Sequence, residues 1–256
     1  MAEPKIYTKN YINEDCTIIS SHGSTFNSRL YDRDKDSKFI SVGANDDATE
    51  IILEITFKEG TSTVERDIDT VMLLNHNLAD PEFEYWDGSA WQPLDSDTGV
   101  TEDVTIFEFE TVSTEKIRLM SSITQSTDAE KFIGELIACA LIMNIGLDLS
   151  ANDITGRQKA FEVTLGDGSI HRSVVMHSLT RSEKYTSRVQ LEYLTVDLLE
   201  LLRTIKSGGE AFLWQPESSS RPDEIYLVNW TGSFSHRYMS DYKGAGFKLD
   251  MNLVEV

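Results

Sequence analysis

The chain has 256 residues, 40% of them hydrophobic and 9% aromatic, which is enough apolar material for a buried core and too much for a disordered chain. Its formal net charge of −20 is uneven: residues 1–145 hold 11 Lys and Arg against 28 Asp and Glu, and residues 146–256 hold 12 against 15. That balance excludes phosphate-directed nucleic-acid binding, which needs clustered Lys and Arg, and an anionic membrane would repel the acidic half.

The asymmetry points to two units with different surroundings. Residues 1–145 form the expected first domain and 146–256 the second. The start, Met-Ala-Glu-Pro-Lys, lacks the apolar core of a signal peptide, so the expectation is synthesis in a reducing cytosol. No run of about 18 apolar residues occurs, and no membrane-spanning helix is expected. Cys16 and Cys139 are the two cysteines, too few and too far apart for a disulfide framework. Cys139 lies in an apolar run and reads as a buried free thiol.

Taken in order, residues 1–30 are extended and polar, with one apolar strand over 16–20; residues 5–12 read as an arm rather than core. Strands are then expected over 50–57, 69–74, 82–86, 104–110, 116–121 and 132–144. Lys58-Glu59-Gly60, Asp87-Gly88-Ser89 and Asp97-Thr98-Gly99 are turn signals between them. Short strands without intervening helices predict an all-β sandwich. Residues 145–152 form the expected junction. Beyond it, 160–165 and 169–177 flank Gly166-Asp167-Gly168 as a hairpin, and 187–194 alternates with Val189, Leu191 and Tyr193 or Leu194 on one side.

One amphipathic helix is predicted, over 195–206, with apolar residues Val196, Leu198, Leu199, Leu201, Leu202 and Ile205 at helical spacing. Thr195 is placed to cap it and Gly208-Gly209 to stop it. Strands over 211–215, 224–230, 233–240 and 246–256 complete the chain. The second domain is thus expected to be all-β apart from one helix.

Several constellations invite chemistry. Asp32-x-Asp34-x-Asp36 resembles a calcium loop, but Ser37 and Gly43 stand where the helix-loop-helix type needs Gly and Glu. A solvated charged turn is the preferred reading, and a non-helical calcium site stays open. Trp86 and Trp91 bracket Asp87-Gly88-Ser89-Ala90. Exposed, they would make a sugar-stacking platform; packed, they would flank a hairpin. His76 and Asn77 end a strand, where a satisfied turn is preferred to a ligand role. The five histidines lack metal-ligand spacing, Ser21-His22 and His171-Arg172-Ser173 lack a nucleophile elbow, and Gly166-Asp167-Gly168-Ser169 lacks a phosphate-loop Lys. Neither an enzyme, a cofactor nor a metal is expected.

Two resemblances add to this reading. The order of segments 68–78 (Ile-Asp-Thr-Val-Met-Leu-Leu-Asn-His-Asn-Leu), 85–91 (Tyr-Trp-Asp-Gly-Ser-Ala-Trp), 116–119 (Lys-Ile-Arg-Leu) and 133–138 (Ile-Gly-Glu-Leu-Ile-Ala) resembles the discoidin, or galactose-binding-like, jelly roll over residues 15–145. That resemblance implies a module that is structural or binds sugars or lipids in loops at one end, with no catalytic residues. Trp86, Trp91, Asp87, His76 and Asn77 are its candidate ligand residues. The helix, Phe-Leu-Trp-Gln-Pro (212–216), Leu-Val-Asn-Trp (227–230) and the terminal alternating strand resemble small tail and baseplate proteins of long-tailed bacteriophages, over residues 153–256, which implies a tail-tube-like β-sandwich or split barrel carrying one α-helix.

The combination resembles distal-tail adaptors. It implies a homo-oligomeric ring joining the tail tube to a tip or fibre, in a virion tail assembled in host cytoplasm. Trp214, Trp230, Phe234, Tyr238 and Phe247 are the candidate assembly residues. The alternative is a carbohydrate-binding module for host-surface glycans.

Overall fold

The computed structural model describes residues 4–256 apart from 25, 35, 146–150, 155–159, 165–169, 175–185, 220 and 240–245. For residue 24 and strands 151–154, 160–164 and 170–174 the backbone alone is described. The fold is all-β with a single α-helix among the described residues. It divides into two compact units, Tyr7–Ile142 and a second made of Met1–Ile6 with Met143–Val256.

The first unit holds two five-stranded antiparallel sheets. One has the order Trp91–Ser96, Glu82–Trp86, Lys116–Ser121, Ile51–Thr56, Thr17–Ser20. Period-2 patterning sets its faces. Ile51, Leu53 and Ile55 are buried while Ile52, Glu54 and Thr56 are half-buried. Across the ladder Ile117 faces Ile55 and Leu119 faces Leu53, so a one-residue slip would turn the apolar set to solvent.

The other sheet runs Val104–Thr114, Arg66–His76, Phe132–Cys139, Phe39–Val42, Gly23–Ser24. Its long strand Arg66–His76 is buried on both faces: Ile68, Val71 and Leu73 join the core, and Thr70, Met72, Leu74 and His76 are buried on the other side. The core between the sheets contains Phe39, Phe57, Phe83 and Phe107, with Phe83 and Phe107 edge to face at 5.2 Å. Each such side chain contributes about 1.5–3 kcal/mol of burial.

The second unit is built on an eight-stranded sheet with the order Leu141–Asn144, Lys5–Tyr7, Phe212–Gln215, Tyr226–Thr231, Phe247–Glu255, Thr186–Leu194, Ala151–Ile154, with His236–Tyr238 also paired to Phe247–Glu255. Lys5–Tyr7 corrects the expectation of an arm. Ile6 and Tyr7 are fully buried, because a strand between two others places both edges in ladders and its apolar face in a core. The expected strand over 132–144 is two strands, broken at Ala140. Strands Ala160–Thr164 and Ile170–Val174 pair as a hairpin, and its expected Gly166–Gly168 turn lies outside the described residues.

The helix spans Val196–Gly208. The Leu198 amide donates to Thr195 Oγ1 at 3.3 Å, a cap worth about 1 kcal/mol. Gly209 ends it at φ 68°, in the left-handed region that a Cβ disfavours. Leu199 and Leu202 are buried and Leu198 and Ile205 half-buried, but Val196 is 59% exposed and Leu201 36%. The apolar stripe is therefore narrower than its sequence pattern.

Candidate functional site

The outward face of the first sheet is set by alternation. In strand Glu82–Trp86 the side chains Phe83 and Tyr85 point to the core, leaving Glu82, Glu84 and Trp86 on the other side. Trp91 lies directly opposite Trp86 across the hairpin, and Glu84 lies opposite Arg118, which in turn faces Glu54 on the next strand. The face thus carries a tryptophan pair beside an alternating row of acid and base.

The two indoles meet edge to face with centroids 5.4 Å apart and an interplanar angle of 66°. The Arg118 guanidinium sits 4.6 Å from the Trp91 centroid, and Lys116 Nζ 5.7 Å from that of Trp86. Arg118 Nε also donates to Glu84 Oε2, and Lys116 Nζ stands 3.7 Å from Glu54. Both rings are half-buried. They pack on the sheet and still present surface to solvent, so the two sequence readings describe one geometry.

The hairpin loop is self-contained. Asp87 Oδ1 accepts from the Ala90 amide, the Ser89 amide and the Ser89 hydroxyl, each at 2.8 Å, and Oδ2 accepts from Gln92 Nε2 at 2.9 Å. These donors hold its carboxyl down at about 2, the Ala90 amide first. Asp87 fixes the turn that sets the tryptophans opposite one another.

His76 and Asn77 stand apart from that face as structural groups. His76 is buried, its Nδ1 accepting from the Leu78 amide and its Nε2 lying 2.9 Å from Thr105 Oγ1. Burial pushes its pKa down to about 4 against the opposing pull of Asp103, so the ring is neutral at pH 7. Asn77 Nδ2 donates to Glu130 O at 2.9 Å while its Oδ1 accepts from the Phe132 amide at 2.8 Å. Neither is offered to a ligand.

Asp32 and Asp36 are exposed, and Asp32 Oδ1 accepts from the Asp34 amide at 3.0 Å. No group of three or more His, Cys, Asp or Glu with metal-holding geometry occurs among the described residues. Cys139 is a buried free thiol, and Cys16 Sγ donates to Tyr11 O at 3.3 Å.

The second unit carries another surface. Trp214 is fully buried and Trp230 is 7% exposed, so neither indole stands on the surface as the assembly expectation required. From Trp230 a row of rings leads outward: Phe234 at 5.6 Å, His236 a further 5.8 Å, Phe247 5.6 Å beyond, and Tyr238 4.8 Å from Phe247. The row starts buried at Trp230 and ends 65% exposed at Tyr238, with Phe234 and Phe247 half-buried and His236 exposed between them. Arg203 lies 5.5 Å from the Phe234 centroid and Lys206 5.8 Å from that of Trp230.

Sequence reasoning named four rings of this row and missed Tyr193 beside it. Strand Thr186–Leu194 bulges between Leu191 and Leu194, which gives Tyr193 φ 61° and leaves its ring 64% exposed. It also missed Glu84, Lys116 and Arg118, although their two-residue spacing from Trp86 and from each other was a usable signal.

No family model matches the chain, and no curated protein matches it. Among solved structures it is similar to a chitosan-binding module from a chitosanase/glucanase of Paenibacillus sp. IK-5, at 13% identity over 52% of this chain and 99% of that one, with TM-score 0.44. It is similar to the family 32 carbohydrate-binding module of Clostridium perfringens NanJ, solved with galactose, at 12% identity over 53% of this chain and 98% of that one, with TM-score 0.43. A family 32 carbohydrate-binding module from Streptococcus pneumoniae EndoD is similar at 14% identity over 51% and 99%, with TM-score 0.41. No helix of the described residues is long and apolar enough to cross a membrane.

Proposed function

We propose that this protein recognises carbohydrate on the outward face that carries Trp86 and Trp91. The observation that supports the reading is the partly exposed indole pair with Arg118, Glu84 and Lys116 around it. A pyranose presents an apolar C–H face, which stacks on an indole, and a rim of hydroxyls, which take hydrogen bonds from a guanidinium and give them to a carboxylate. The reading rests on that pair and not on the distant likenesses above.

The test is a titration of the full chain with galactose, N-acetylglucosamine and chito-oligosaccharides, followed by tryptophan fluorescence and calorimetry. The expected result is a saturable change that Trp91→Ala abolishes. Silence across the sugars together with a silent glycan array would overturn the reading.

A second reading, a tail-tip or baseplate component that assembles with itself, is favoured by a separate observation: the ring row that ends at exposed Tyr238. On this reading the protein belongs to a virion tail and its partners are its own copies and a tube, tip or fibre. The mass of the full chain in solution tests it, and a strict monomer at high concentration would sink it. The full chain is required, because residues 153–256 alone lack Lys5–Tyr7 and Leu141–Asn144 from the eight-stranded sheet.

A further inference from the structure

We infer that the aromatic row of the second unit docks onto the acidic edge of the first unit in another copy of this chain; the inference rests on the assembly reading. Tyr193 begins the argument. A non-glycine residue at φ 61° is strained, and the bulge that holds it there turns an aromatic side chain to solvent instead of the core. Gly246 accommodates it: at φ 79° its missing Cβ is what lets the Tyr193 backbone approach. Close by, all three side chains of strand His236–Tyr238 are exposed.

The patch has the composition of an interface centre, with Tyr, Phe and Arg together. Its charge is positive. Lys248 and Arg203 are paired with Glu192 and Glu200, and Arg237 and Lys206 are the excess cations of the patch among the described residues.

The chain itself supplies the complement. Between Arg66 and Lys116 it carries thirteen Asp and Glu and no Lys or Arg. Two strands of that stretch, Trp91–Ser96 and Val104–Thr114, are the edges of their sheets and lie side by side. Asp95, Asp97 and Glu110 are exposed on or just beyond them. A cationic aromatic patch and an acidic edge attract one another and repel their own kind, which fixes the pairing as patch to edge. Because the two surfaces differ, each copy offers one and receives the other, and the contact propagates head to tail into a closed ring or an open string.

The test is sedimentation velocity of the full chain across concentration at low and high salt. The expected result is association beyond the dimer that weakens as salt screens the contact. Arg237→Glu and, separately, Asp95→Lys with Glu110→Lys should each weaken association roughly tenfold or more. A mixture of the two variants retains one intact patch and one intact edge and sets the two reversed surfaces against one another, so mixing should restore association that neither variant shows alone. Tyr238→Ser, at an exposed position, should weaken association without changing charge.

Association that ignores the patch variants overturns the inference and leaves the assembly reading standing. Association that responds to Arg237→Glu but not to the Asp95 and Glu110 reversals, or a mixture that stays monomeric, also overturns it. A wild-type chain that is monomeric throughout overturns both.

Discussion

The backbone of Gly246 is pressed against that of Tyr193: a Cβ at position 246 would stand 2.9 Å from the Tyr193 carbonyl carbon and 3.0 Å from its Cα. Backbone cannot retreat as a flexible side chain can, and φ 79° at position 246 adds its own cost for any L residue. Gly246→Ala should therefore destabilise the chain by about 1–3 kcal/mol, read as a fall in the urea midpoint at constant slope. Tyr193→Gly releases the strain at φ 61° and should cost nothing or stabilise by up to about 1 kcal/mol. A destabilised Tyr193→Gly would mean that the ring contributes to folding.

Lys131 is fully buried and donates from Nζ to Asp46 O at 2.7 Å and Ala44 O at 3.3 Å. The ammonium ties the segment before strand Ile51–Thr56 to the start of strand Phe132–Cys139. Lys131→Met keeps the stem's volume and strips the donors, leaving buried carbonyls unsatisfied at a cost of about 1–3 kcal/mol. A thermal midpoint unchanged by Lys131→Met would show that water replaces the ammonium at no penalty.

His76 makes stability depend on pH in a definite direction. Its folded pKa of about 4 lies below the usual histidine value of about 6.5, so the unfolded chain binds the proton more readily. The stability from the neutral buried ring is fully present above about pH 6.5 and is lost as pH falls to 4. Its full size is about 3 kcal/mol. His76→Gln should flatten the fall in unfolding free energy between pH 6.5 and 4.5. Parallel wild-type and variant profiles would contradict this account.

The Trp86–Trp91 contact should carry energy of its own apart from any ligand. Edge-to-face pairs couple by about 0.5–1.5 kcal/mol beyond burial, and a double-mutant cycle of Trp86→Ala and Trp91→Ala measures that term. A coupling near zero would show that the rings touch without stabilising the hairpin.

Much of this was legible in the residues, and what was not has physical causes. Strand Lys116–Ser121 is bounded to the residue by its strict alternation of buried and half-buried positions, and Glu82–Trp86 by Glu82 and Glu84 alternating with Phe83 and Tyr85. The helix stood out by its period, its Thr195 cap and its Gly209 stop. Strand Arg66–His76 was predicted short at both ends, since burial on two faces erases alternation and its polar residues do not look like core. Strand Trp91–Ser96 escaped notice because Pro93 breaks the strand signature; it sits at a sheet edge next to a register shift, where a missing amide is tolerated.

The candidate site was half legible. The tryptophans are visible as a motif and Glu84 stands two residues from Trp86, but Arg118 and Lys116 come from a strand adjacent in space and remote in sequence. Trp214 and Trp230 stand among the assembly candidates because large aromatics mark interfaces and cores alike, and composition cannot separate the two.

Strand Lys5–Tyr7 lies between Leu141–Asn144 and Phe212–Gln215 in the sheet order, so one neighbour follows it by more than a hundred residues and the other by about two hundred. During synthesis it waits for about two hundred residues with one edge unfilled and its apolar Ile6 and Tyr7 uncovered. The chain thus delays closing its largest sheet until residues 212–215 have left the ribosome, and loop closure on that scale slows that step. A bulky fusion at the N-terminus would act during that interval, lowering yield in the cell while leaving the finished protein's stability untouched.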